Sequence, residues 1–379
     1  MRTRAGLTIA ILLMALLAAA CSPPVGPDTA VSPPIAPVAP TSTSTPPTTA
    51  APTTTSTTTT TSTTTTSTTP PTTTAPPAAS VRPFRASSPW YTAVPRQAPV
   101  LDDGNATGRE IASEIVEFYG HASINTTTYA PTVITAGRDQ PTVAVSYWNC
   151  QGKTSVPNGF VSQMAAVPLP DATPIPADAD AHVTVWQPST DTVWELWKAR
   201  RVAGGWQACW GGRLDHASST IGSFPNPYGG TATGISTLAG LITPEDLARG
   251  HIDHALSIAV VRTLAGTYSW PANRTDGRSA TSTAIPEGQR VRLDPAVEVG
   301  ALTLTPLGHM VARALQEYGA IVRDTSGSVS VYAQNANTFT AQGLGDPYAV
   351  YYGGKPKWAQ LDGIPWAKLQ TLPLDYGRP

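Results

Sequence analysis

A mainly β fold, a β-sandwich of jelly-roll type with a few packed helices, is what this 379-residue sequence predicts. Three observations carry that expectation. From Thr132 onward, short runs rich in Val, Ile, Thr and Trp recur between clusters of Pro, Gly and Asn. Strands and helices do not alternate in the regular rhythm of a parallel α/β fold. Ten Trp and twelve Tyr give the broad aromatic faces common in sandwiches, sugar-binding ones among them.

The elements follow in order. Thr107 to Tyr119 reads as a helix, with Ile111, Ile115, Val116 and Phe118 at helical spacing and Gly120 as a stop. Strands are predicted over 132–135, 142–148, 182–187, 193–200, 206–210, 254–262 and 290–293. Thr243-Pro244 opens a short helix, with Thr as N-cap and Pro at the first helical position. Thr305-Pro306 repeats that start, and the helix it opens runs through Tyr318 to Gly319. Strands over 320–324 and 328–333 then form an expected hairpin around Ser326-Gly327.

Residues 90–379 are thus expected to make one β-rich globular domain, and what precedes them is different in kind. Residues 1–20 carry Arg2 and Arg4 ahead of an apolar run from Leu7 to Leu17. That run is too short to span a bilayer core of about 30 Å, so it reads as a cleaved export signal. It ends Leu17-Ala18-Ala19-Ala20-Cys21, which resembles a bacterial lipobox with Ala18 where the pattern prefers Leu. The resemblance implies a lipid on Cys21 and a place at the outer face of the cell membrane. Cleavage at an Ala-x-Ala site, leaving a secreted protein, is the alternative. Residues 21–80 are nearly all Thr, Pro, Ser and Ala, with too little apolar surface to offset the entropy of folding. They read as a disordered stalk, about 40–45 Å across as a flexible coil and on the order of 180 Å when extended. The Ala/Pro/Thr/Gly-rich composition suggests a high-GC actinobacterial source.

Charge and motif content narrow the functions. With 24 Lys plus Arg against 25 Asp plus Glu and no basic run, nucleic acid is not an expected partner. The chain lacks G-x-S-x-G, G-x-x-x-x-G-K-[ST], H-E-x-x-H and G-x-G-x-x-G, which argues against the esterase, NTPase, zinc-protease and dehydrogenase classes. No cofactor is implied, and with no CxxC or HxxxH spacing no metal site is expected. If Cys21 carries lipid, Cys150 and Cys209 remain to form a disulfide in an oxidising compartment. Such a bridge would contribute about 4 kcal/mol in the chain-entropy model.

The richest segment runs from Val193 to Trp210, two β runs about the turn Ala203-Gly204-Gly205. If Arg201 pairs with Trp206, Glu195, Trp197, Trp206 and Trp210 share one face, and Trp194, Leu196, Gln207 and Cys209 the other. An aromatic floor with a carboxylate offers CH–π contact and a hydroxyl acceptor to a pyranose ring. An aromatic core under loops and helices is the competing assignment for these tryptophans. Asp180 precedes a strand in which His182, Thr184 and Trp186 share a face, and His254 opens another in line with Leu256, Ile258 and Val260. Histidines so placed are more often structural hydrogen-bonders than catalysts.

Several runs, in this order, resemble a group of secreted soil-bacterial and actinobacterial proteins of unassigned function. They are Asp180 to His182, Trp194 to Ala199, Ile252 to Leu256, Trp270 to Ala272, Pro286 to Leu293, and Ala314 to Gly319 followed by Asp324. The likeness covers most of the domain from Ala177 onward. It implies export and a coherent fold, and it transfers no activity.

Three functions compete. A glycan hydrolase acting on wall or environmental polysaccharide needs two carboxyls, about 5–5.5 Å apart for retention and about 6.5–9.5 Å for inversion. Glu195 with Asp180 or Asp276 is the expected pair, with His182 and His254 orienting or moving protons. A lyase would instead neutralise a uronate with Arg274 and His254. A non-catalytic wall-binding module would use the tryptophan face without paired carboxyls, and a structural or partner-docking lipoprotein would need neither. A carboxyl pair in one groove with the tryptophans separates the first reading from the second.

Overall fold

The protein's structure, a computed structural model, describes residues 82–379 apart from 102, 103 and 157. The expected signal, Cys21 and the expected stalk lie outside the described residues. All the described residues belong to one compact unit, Thr72–Pro379. It is β-rich with few helices, as expected, and its strands form four sheets.

The largest sheet orders six strands as Ser123–Asn125, Ser330–Tyr332, Leu256–Val260, Ala320–Thr325, Arg290–Leu293 and Leu369–Thr371. One face is almost wholly aliphatic. Leu256, Ile258, Val260, Ala320, Val322 and Val331 pack there with Ile111 and Ile115 of the helix Ala106–Glu117 and with Leu307, Val311 and Leu315 of Pro306–Glu317. Both helices bury the stripe that their 3.6-residue spacing dictates. The second helix starts where the sequence places it: Thr305 accepts a hydrogen bond from Gly308 N at 2.9 Å.

A second sheet orders Thr132–Thr135, Val183–Gln187, Thr192–Trp197 and Trp210–Asp215. A third orders Val145–Tyr147, Gly205–Ala208 and Arg200–Val202, and a parallel pair joins Thr263–Tyr268 to Ile285–Glu287. Cys150 and Cys209 form the expected disulfide, with Cα atoms 5.5 Å apart.

Two expectations are corrected. A jelly roll has two antiparallel sheets, whereas the three larger sheets here mix parallel and antiparallel pairs. The strands on either side of Ser326-Gly327 do not pair with each other. Leu256–Val260 lies between them, parallel to one and antiparallel to the other. A local turn signal cannot register a strand inserted from sixty residues upstream.

The pairing of Arg201 with Trp206 is as read, but the two runs do not make one continuous hairpin. Lys198 takes a left-handed φ of 52°, which ends the first strand and hands the chain to another sheet. Within the four-stranded sheet Trp197 faces Trp210 directly and Glu195 shares their side, while Trp206 belongs to the three-stranded sheet.

Candidate functional site

A cavity of about 1290 Å³ opens between the four-stranded and six-stranded sheets. Asp180, His182, Trp197 and Trp210 line it from the first, and Arg323, Asp324 and Tyr332 from the second. Arg274 and Asp276 reach it from the connection that precedes Ile285–Glu287.

Asp180 is held by a turn that Asp178 builds, its Oδ1 accepting from Asp180 N at 3.0 Å and Ala181 N at 2.8 Å. Asp180 Oδ1 in turn accepts from Trp197 Nε1 at 3.0 Å, so carboxylate and indole are set as one unit on the cavity wall. Trp210 is half-buried, parallel to Tyr228 at 5.8 Å and stacked on Phe160 at 5.8 Å, with Lys153 Nζ 4.9 Å above its ring. His182 is buried and its Nδ1 has no hydrogen-bond partner. Burial holds its pKa down to about 4 against the pull of Asp180, with Arg323 pressing the same way as burial, so the ring is neutral at pH 7.

Asp276, Glu287 and Asp324 each bring a carboxyl oxygen within 4.8 Å of the other two. Glu287 is buried beneath the pair. Its Oε2 accepts from Thr275 Oγ1 at 2.7 Å and from Asp276 N at 3.1 Å. Desolvation raises Glu287 to about 7, with the Asp276 charge adding to it. Desolvation also raises Asp324 to about 8; Arg323 opposes that, and Glu287, Asp276 and Asp180 reinforce it. Asp276 is the exposed member. Three carboxyls this close cannot all be ionised at low cost, and the cluster relieves itself by keeping protons. An all-oxygen set of this kind is also the donor chemistry of a hard cation.

Asp324 reaches the cavity through a β-bulge. Ala320, Ile321 and Val322 pair with Leu256, Ser257 and Ile258, but Ala259 pairs with Asp324, leaving Arg323 as the extra residue. Strict alternation would turn Asp324 to the side of Ala320 and Val322, into the aliphatic core. The bulge turns it to the side of Ile321 and Ala259 instead.

The expected site residues divide accordingly. Asp180, His182, Trp197, Trp210, Arg274 and Asp276 all line the cavity. Arg274 is committed to structure as well, its Nη2 donating to Tyr228 O at 2.9 Å and Thr231 O at 2.8 Å.

Glu195, expected as a catalytic carboxylate, does not line the cavity. It is fully buried and accepts from Gly230 N (2.8 Å), Ser236 Oγ (2.5 Å), Thr237 N (2.7 Å) and Thr237 Oγ1 (3.0 Å). Burial pushes its pKa up and these four donors pull it back. Its work is to tie the loop around Gly230 to the strand that carries Trp197. A side chain at Gly230 would set its Cβ 3.0 Å from Glu195 Oε2 and 3.4 Å from His182 Nδ1, which is why glycine stands there.

Trp206 is likewise buried in the core of the smaller sheets, with Arg201 4.3 Å over its ring. His254 lines a different cavity of about 240 Å³. Its Nδ1–H donates to Ala255 O at 2.9 Å and its Nε2 faces Asp246 Oδ2 at 3.3 Å. Asp246 also closes the capping box with Thr243, so this histidine braces a helix start.

The residues that sequence reasoning left out are Glu287, Arg323 and Tyr332, and it gave Asp324 no role. One signal for them exists: Arg323-Asp324 is a charged pair inside an otherwise apolar strand, AIVRDT. Comparison with protein-family models, curated proteins and solved structures finds no match for the chain.

Proposed function

We propose that this domain binds a polysaccharide of the cell wall or its surroundings and hydrolyses it, with Asp324 as proton donor and Asp276 as the partner carboxylate. One observation carries the reading: a carboxyl pair, one member holding its proton at neutral pH, stands in the same cavity as Trp197 and Trp210. A general acid must be protonated at the working pH, and burial among other carboxyls is how a side chain with an ordinary pKa near 4 is kept so. In the first step Asp324 gives its proton to the glycosidic oxygen as the bond to the anomeric carbon breaks and the Asp276 carboxylate attacks that carbon. In the second, ionised Asp324 takes a proton from water, whose oxygen displaces Asp276.

Carboxyl oxygens within 4.8 Å fall on the short side of the two ranges and leave no room for a water alongside the sugar between them. The anomeric configuration should therefore be retained. Incubation with a panel of wall and plant polysaccharides, read by new reducing ends and by NMR of the first-formed anomer, checks this. Inversion would assign another pair of carboxyls, and binding without cleavage across the panel would make the domain a non-catalytic wall-binding module. Loss of cleavage in EDTA with recovery in Ca²⁺ would give the three carboxyls to a cation instead.

The reading extends to where the domain works. The small residues before Cys21 and the polar stalk after it support a lipid anchor at the outer face of the membrane, with the stalk carrying the domain into the wall. Among the described residues no helix is long and apolar enough to cross a membrane. Cys21→Ala should release the protein to the medium or leave it unprocessed. Membrane fractionation identical to wild type would remove the anchor from the account.

A further inference from the structure

The cavity floor holds a buried charge that its own surroundings do not neutralise. Arg323 is 2% exposed, yet among the described residues it has no ion-pair partner. Its guanidinium lies 3.5 Å from the centroid of the Tyr332 ring, its Nη1 donates to Thr237 O at 3.3 Å, and its Nε has no partner at all. A guanidinium carries five N–H donors in a planar fork, so most of its hydrogen-bonding capacity is unused. A buried cation is ordinarily paired, because desolvating it alone is costly. One cation–π contact and one long hydrogen bond recover only part of that.

The neighbours do not supply the missing anion. Asp324 is the next residue but makes no ion pair with Arg323, and Asp180 is engaged with Trp197 Nε1. On the facing wall His182, also buried and with an unpartnered Nδ1, offers a neutral donor or acceptor to a group seated on the cation. Lys153, over Trp210, and Arg274 add further cations at the cavity.

We propose that the cavity selects an acidic glycan, with the carboxylate of a uronic acid residue seated against Arg323 and His182. This rests on the glycan reading above and narrows it. The planar fork matches a planar carboxylate, whereas a neutral sugar would leave the guanidinium unpaired.

The test compares polygalacturonate with the same polymer after its carboxyls are reduced to alcohols. Retention of each by the wild-type protein is measured at 50 and 500 mM NaCl. Polygalacturonate should bind at least tenfold more tightly, and only its binding should weaken several-fold at the higher salt. Arg323→Gln should narrow the difference between the polymers; should that variant fail to fold, the wild-type comparison decides alone. Equal binding of both polymers overturns the acidic-glycan proposal and leaves the glycan reading intact. Retention of neither polymer, nor of any other in the panel, removes the glycan reading and this proposal with it.

Discussion

Replacing Glu195 by alanine is expected to lower stability by about 3–5 kcal/mol, because it strands four donors in the interior at once. Gly230 N, Ser236 Oγ, Thr237 N and Thr237 Oγ1 all give their hydrogen bonds to this one carboxylate, and Glu195, Ser236 and Thr237 are fully buried. Some of the loss is returned, since a buried carboxylate is itself costly and burial pushes its pKa up. For a domain of this size the fall in Tm should be about 6–10 °C. Glu195→Gln keeps a carbonyl for the Ser236 and Thr237 donors but sets an amide N–H against Gly230 N, so about 1–3 kcal/mol should be lost. Any loss of activity in these variants should follow the loosened Gly230 loop and appear mainly in KM. Wild-type stability together with abolished kcat in Glu195→Ala would return Glu195 to the catalytic machinery.

How far such roles could be read from the chain depends on the range of the interaction that decides them. Helix starts at Thr243-Pro244 and Thr305-Pro306 are decided within three residues, and both stand where composition puts them. Strand parity is decided within a strand, and it correctly sets Glu195 on the side of Trp197 and Trp210. Parity does not say what lies over that side. At Glu195 the cover is a loop 35 to 42 residues away, and the same side passes from buried carboxylate to open cavity in two residues. Trp206 leaves the face that parity predicts for it because Lys198 breaks the strand between it and Trp197, and no residue-type preference announces a left-handed lysine. Asp324 is the most instructive case. Alternation along AIVRDT sends it into the aliphatic core, where no carboxyl belongs, and the bulge at Arg323 resolves the conflict. A charge that a regular pattern would bury among aliphatics is thus the readable trace of a site, although the bulge itself depends on pairing with a strand sixty residues earlier.

Asp324→Asn should lower kcat by about 10²–10⁴-fold, the usual worth of a general acid, while leaving glycan retention close to wild type. In the wild type, kcat should fall as pH rises through about 8, where Asp324 gives up its proton. Stability should carry the same signature with a determinable sign. The folded carboxyl titrates at about 8 and the unfolded one at about 4, so between these values the folded state holds a proton that the unfolded state has lost. Stability then decreases with rising pH across that window and levels off above it. Asparagine has no proton to lose and keeps the polar shape, so the variant should melt several degrees above wild type at pH 9. The gap should close as pH falls toward 4. A residue that costs the fold stability at the pH where it works is best accounted for by the reaction it performs. Two outcomes would end that account: an Asn variant with undiminished kcat, or one whose Tm runs parallel to wild type from pH 4 to pH 9.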